Sequence, residues 1–155
     1  MLGDGNRLTL DRIKSLPNLF RGVELLTLSA CDTATGGAGA DGKEVEGFGV
    51  LAQRQGAKAV MATLWPVADE STQLLMREFY RLHQEKPGTL KSEALRQAQL
   101  ELLHGEIKWT QASGSDGARS ATLTASHKNS FTPDPKAPFA HPYYWAPFIL
   151  IGNWK

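Results

Sequence analysis

Three short apolar runs, VELLTL (Val23–Leu28), AKAVMATLW (Ala57–Trp65) and WAPFILIGNW (Trp145–Trp154), are separated by stretches with helical periodicity. The order strand, helix, strand, two helices, strand leaves few architectures open. Each run is too short to be a helix and too continuously apolar for a half-exposed strand, so it reads as a strand covered on both faces. Strands alternating with helices imply an α/β layer structure with a mainly parallel sheet flanked by helices. Parallel strands joined by crossovers put their C-terminal ends on one rim, where such sheets bind ligands. Pro147 inside the third run argues for an edge position, or for a strand that begins just after it.

The helices follow from spacing. Glu44 to Gln55 carries Val45, Phe48 and Ala52 on one face, with Gly56 as a stop. Asp69 is placed to cap a helix running to about Gln84, in which Leu75, Phe79 and Leu82 share a face. Thr89 is placed to cap another, with Leu90, Ala94, Ala98 and Leu102 as its buried stripe.

From Glu106 to Pro138 the apolar periodicity stops, and Ser, Thr, Ala, Gly and Pro take over. The expectation is one partial domain over residues 1–155 with a flexible insertion at 106–138. At the other end, Met1 to Gly5 has no pattern of a regular element, which suits a chain cut from something longer. The first regular element is expected late.

A formal net charge of +1, with basic residues scattered along the chain, gives no footprint for nucleic acid or an anionic membrane. No apolar run reaches the roughly 18 residues of a spanning helix, and no signal-peptide core is present. One cysteine excludes an internal disulfide. A cytoplasmic protein is expected, without a cofactor, and no His/Cys/Asp cluster has metal-ligand spacing.

That cysteine, Cys31, follows the first strand and opens into CDTATGGAGADG. Small residues there would let a substrate approach, and glycines would let backbone N–H groups converge on an oxyanion. The competing reading is a buried filler, since free cysteine is among the most buried residue types. The glycines match neither G-x-x-x-x-G-K-[ST] nor G-x-G-x-x-G, so a nucleotide site is not indicated.

LLTLSACDTATG, DGKEVEGF, QGAKAVMATLWPVADESTQLLMREFY, EALRQAQLELL and the terminal HPYYWAPFILIGNW together closely resemble the CHAT family, caspase-like cysteine peptidases often attached to tetratricopeptide repeats. The resemblance covers nearly all of Asp4 to Lys155 apart from the insertion. It implies a three-layer caspase–hemoglobinase fold, present in part, with a Cys/His dyad on neighbouring strand ends. Cys31 of S-A-C-D-T matches the family's nucleophile, and its backbone N–H would join the oxyanion hole. Asp32, Asp41 and Glu44 would belong to the substrate-facing rim. Trp65, Pro66 and Val67 would line the cleft where related enzymes hold an extended peptide by β-augmentation. Asp69 would serve the same site, with helix capping as its plainer role.

The departure from the family is specific. The dyad histidine belongs in an H-G motif on the preceding strand, tens of residues upstream, and none of the 30 residues before Cys31 is a histidine. His83, His104, His127 and His141 offer no substitute on sequence position. The chain therefore looks like the C-terminal portion of a CHAT domain: part of a cysteine endopeptidase, inactive as it stands. The alternative is a non-catalytic peptide-binding or signalling module of the same fold. Expected partners are a protein or peptide substrate, a tetratricopeptide-repeat region of a longer parent, and a second copy pairing along the exposed edge of Val23–Leu28.

Overall fold

A computed structural model describes residues 9–28, 43–85, 88–107 and 134–155, with 43–46 described in backbone alone. The chain divides into two compact units: Met1–Pro66 with Pro147–Lys155, and Val67–Ala146. Most of the expected insertion lies outside the described residues.

The first unit opens with a helix the sequence reading did not place. α1 (Leu10–Ser15) is capped by Thr9, whose Oγ1 accepts the Arg12 N–H at 3.3 Å. It ends where Pro17 forces Leu16 into extended backbone (φ −104°, ψ 90°), because a residue before proline is driven out of the helical region. Only one helical turn and a half is built, and Ile13 is its buried residue.

Next come β1 (Leu26–Thr27), α2 (Lys43–Arg54), β2 (Ala59–Thr63) and, after the second unit, β3 (Phe148–Gly152). The sheet order is β1-β2-β3. β1 pairs with β2 in parallel, Leu26 opposite Val60 and Thr27 opposite Met61. β2 pairs with β3 antiparallel, from Ala59 opposite Gly152 to Thr63 opposite Phe148. The sheet is thus mixed, and the parallel expectation holds for one of its two pairs. Among the described residues the helix in the crossover from β1 to β2 is α2, and parallel neighbours require such a crossover. The return to β3 passes through the whole second unit, so no local pattern dictates its direction.

β2 is central, and Ala59, Val60, Met61 and Ala62 are 0–2% exposed, which confirms burial on both faces. On one face Val60 joins Ala52 and Ala57 in a core flanked by Phe20, Leu26, Leu28, Phe48 and Ile151. α2 approaches β3 closely there: a Cβ on Gly49 would lie 2.5 Å from Ile151 Cδ1. β3 begins at Phe148, directly after Pro147, as the proline implied.

The second unit is built on α3 (Asp69–Glu85) and α4 (Lys91–His104). α3 buries Ser71, Leu74, Leu75, Glu78, Phe79 and Leu82, the repeat of three and four that a helix turns onto one face. α4 buries Lys91, Ala94, Leu95, Ala98 and Leu102. Leu90, expected in that stripe, is the residue before the helix and is exposed; Thr89 does not cap it, and no side chain does. α4 stops at Gly105, which turns left-handed (φ 69°) and lets the Glu106 N–H donate to the Glu101 carbonyl at 2.9 Å. Against that turn folds the Asp134–Ala137 bridge. A 3₁₀ turn, Pro142–Tyr144, closes the unit, capped by His141.

Candidate functional site

The rim of the first unit is set by the parallel pair. The Leu28 N–H donates to the Met61 carbonyl at 2.8 Å, carrying the β1–β2 ladder one residue beyond β1. Both strands therefore deliver their C-terminal ends to the same side. Because β3 runs the other way, its first residues reach that side too, and the Leu64 N–H donates to the Pro147 carbonyl at 3.1 Å.

The chain leaves this rim twice. From β1 it passes through Cys31, Asp32 and Asp41, all three outside the described residues. Glu44 stands in the first turn of α2, with its side chain likewise undescribed. From β2 it passes through Trp65, half-buried, and Pro66, exposed, which end the first unit. Val67, half-buried, opens the second.

Asp69 is the first residue of α3 and is exposed, with Glu70 beside it in the same turn. A carboxylate there faces the unpaired N–H groups and the positive end of the helix dipole. It sits inside the helix, one position later than a capping residue. The hydroxyls of Ser71 and Thr72 donate to the Ala68 carbonyl at 3.0 and 2.9 Å, fastening the same turn.

The described histidines have local structural partners. His83 Nδ1 lies 3.2 Å from the Thr89 carbonyl, and its ring stacks on Phe79. His104 Nδ1 lies 3.7 Å from Glu106, both well exposed. His141 Nδ1 accepts the Tyr143 N–H at 3.2 Å. His127 lies outside the described residues. Among the described residues no three His, Cys, Asp or Glu side chains are grouped to hold a metal ion, and no helix is long and apolar enough to cross a membrane.

A family model described as CHAT domain matches residues 1–153. The chain belongs to the CHAT domain family. It is therefore related in kind to the caspase-like peptidases, and the mixed α/β architecture of the described residues is compatible with part of their fold. No curated protein and no solved structure matches this CHAT domain chain.

One polar group of the CHAT chain escaped the sequence reading. Glu78 lies on the apolar stripe of α3, four residues from both Leu74 and Leu82, and is buried. The signal was present, an acidic residue at a core position with an arginine three residues on, but the sequence reading did not take it up. Arg81 meets it from the next turn, Nε donating to both carboxylate oxygens at 2.8 and 3.0 Å. The hydrogen bonds from Arg81 hold the Glu78 carboxyl below its ordinary range against the opposing effect of burial.

Proposed function

We propose that this CHAT chain is the nucleophile-bearing part of a caspase-like cysteine endopeptidase domain, with Cys31 as the attacking thiol. The observation that carries the reading is the family match across residues 1–153, with Cys31 of S-A-C-D-T a few residues beyond β1 in the chain. In this reading the thiolate adds to a peptide carbonyl and the oxyanion is met by backbone N–H groups. The amine leaves with the proton the base took from the thiol, and water then hydrolyses the acyl-enzyme. Trp65 and Pro66 are assigned to the substrate, supported by their position where β2 leaves the rim. Asp32, Asp41 and Glu44 are assigned to the loop that faces it.

None of the residues before Cys31 is a histidine, so none of them fills the family's dyad position. That observation also supports a second reading, a module that binds an extended peptide and does not cut it. The test is an electrophilic peptide probe applied to this chain and to the same residues joined to a histidine-bearing CHAT segment. The endopeptidase reading expects slow labelling of the first, fast labelling of the second, and none with Cys31→Ala. Peptide binding with equal, slow labelling of both proteins would favour the non-catalytic module.

A further inference from the structure

β3 ends the sheet of the first unit: the strand order is β1-β2-β3, with β2 as its inner neighbour. Two bonds show which of its main-chain groups turn inward. The Leu64 N–H donates to the Pro147 carbonyl at 3.1 Å, and the Asn153 N–H donates to the Lys58 carbonyl at 2.8 Å. In an antiparallel pair, residues bonded to a given neighbour alternate along the strand. Pro147, Ile149, Ile151 and Asn153 therefore turn their main-chain groups toward β2, and Phe148, Leu150 and Gly152 turn theirs away. Among the described residues none hydrogen-bonds the outward groups of Leu150 or Gly152.

Such an edge is normally blunted by a charge, a proline or a bulge. Phe148–Gly152 reads FILIG, without a charge, and its register runs unbroken from Gly152 opposite Ala59 to Phe148 opposite Thr63. Pro147 does not blunt it either. Its missing N–H lies on the β2 side, so every outward position keeps its donor. Ile149, Leu150 and Ile151 are only half-buried, which leaves part of each apolar side chain uncovered.

The segment is also complementary to itself. About a two-fold axis through Leu150, an antiparallel copy sets Leu150 opposite Leu150 of the second copy, both turned outward, and the two exchange N–H···O=C bonds. The same register sets Phe148 opposite Gly152, again with facing groups, and Ile149 opposite Ile151, apolar side chain against apolar side chain. A slip of one residue would set outward groups against inward ones and lose the bonds. We propose that β3 pairs in this register with β3 of a second copy of this chain, joining the two sheets into one. The two-fold contact consumes the open edge on both copies and stops at a dimer. This is a different edge from Val23–Leu28. The five residues of β3 span about 17 Å. That seam is short for a permanent dimer, so the association is concentration-dependent.

The experiment is sedimentation of the 155-residue chain over a concentration series, with amide hydrogen exchange followed residue by residue at its two ends. The mass should rise from monomer to dimer, and the Leu150 and Gly152 amides should slow by about tenfold or more as it does. The Ile149 and Ile151 amides, already bonded to β2, should be slow in the monomer too. A monomer at every concentration overturns the pairing, whether the Leu150 and Gly152 amides exchange fast or are protected by other residues of the same chain. A dimer in which those amides do not respond also overturns it, and would place the contact elsewhere, Val23–Leu28 included. Leu150→Pro removes an outward donor and leaves the bonds to β2 in place. It should stay monomeric where the native chain is a dimer, and an equally strong dimer would refute the pairing. The exchange measurement on the native chain stands whether or not that variant folds.

Discussion

The Lys136 carbonyl oxygen lies 2.4 Å from where a β-carbon on Gly105 would stand, with Ala137 Cα and Cβ within 2.9 Å of the same point. The left-handed turn that ends α4 is therefore also the surface on which the Asp134–Ala137 bridge rests. Gly105→Ala should cost both the left-handed conformation and the displacement of backbone, about 2–4 kcal/mol together. Gly88 provides the control: it too has positive φ (87°), but no described residue beyond its chain neighbours lies within 4 Å of its missing Cβ. Gly88→Ala should lose only the conformational part, roughly 1–2 kcal/mol, in the same denaturant titration.

Phe79 is fully buried in α3, with Tyr80 edge-on and His83 stacked on it. Phe79→Ala should lower stability by about 3–5 kcal/mol, through lost transfer energy and the cavity left behind. Such a loss is a large share of an ordinary domain's stability, so circular dichroism should show melting well below the native midpoint.

Arg81→Ala leaves Glu78 ionised and buried without its fork. Arg81 is itself 43% exposed, so solvent screens the pair and the expected stability loss near neutral pH is modest. The sign with pH is fixed by Glu78, whose carboxyl Arg81 holds low. Below 4.5 that glutamate becomes progressively protonated, the arginine has less charge to meet, and the gap between native and variant should close. Paired denaturation curves at neutral and acid pH check this.

Asp69→Ala separates the two roles open to that residue. As a first-turn carboxylate it should cost about 0.3–1 kcal/mol, diminishing at high salt. If Asp69 also serves substrate, peptide affinity for the histidine-joined protein should fall in the same variant. Unchanged affinity with the salt-sensitive stability loss would leave it a helix-dipole residue alone.

Much of the architecture was legible from residue order. The three apolar runs became the three strands, and the spacing of Leu75, Phe79 and Leu82 became the buried face of α3. Pro147 marked the start of β3 for a local reason: its fixed φ and absent N–H do not suit a central strand. α1 was missed because six residues show less than two turns of periodicity, and what fastens it is a single threonine cap. Thr89 looked like a cap by type, yet Leu90 occupies the capping position without a side-chain bond.

The candidate site rests on its motif, since Cys31, Asp32 and Asp41 lie outside the described residues. S-A-C-D-T and the segments around it carry the CHAT family's pattern over residues 1–153, and that pattern alone brings Cys31 forward. Apolar content foretold full burial for β2 but overstated it for β1, whose two residues are only half-buried. The direction of β3 and the resting of residues 134–137 on Gly105 were decided by the tertiary structure. Each depends on where a distant part of the chain returns. Local propensity and periodicity describe only the few residues within one turn or one pleat, so contacts between residues far apart in the chain leave no trace in them.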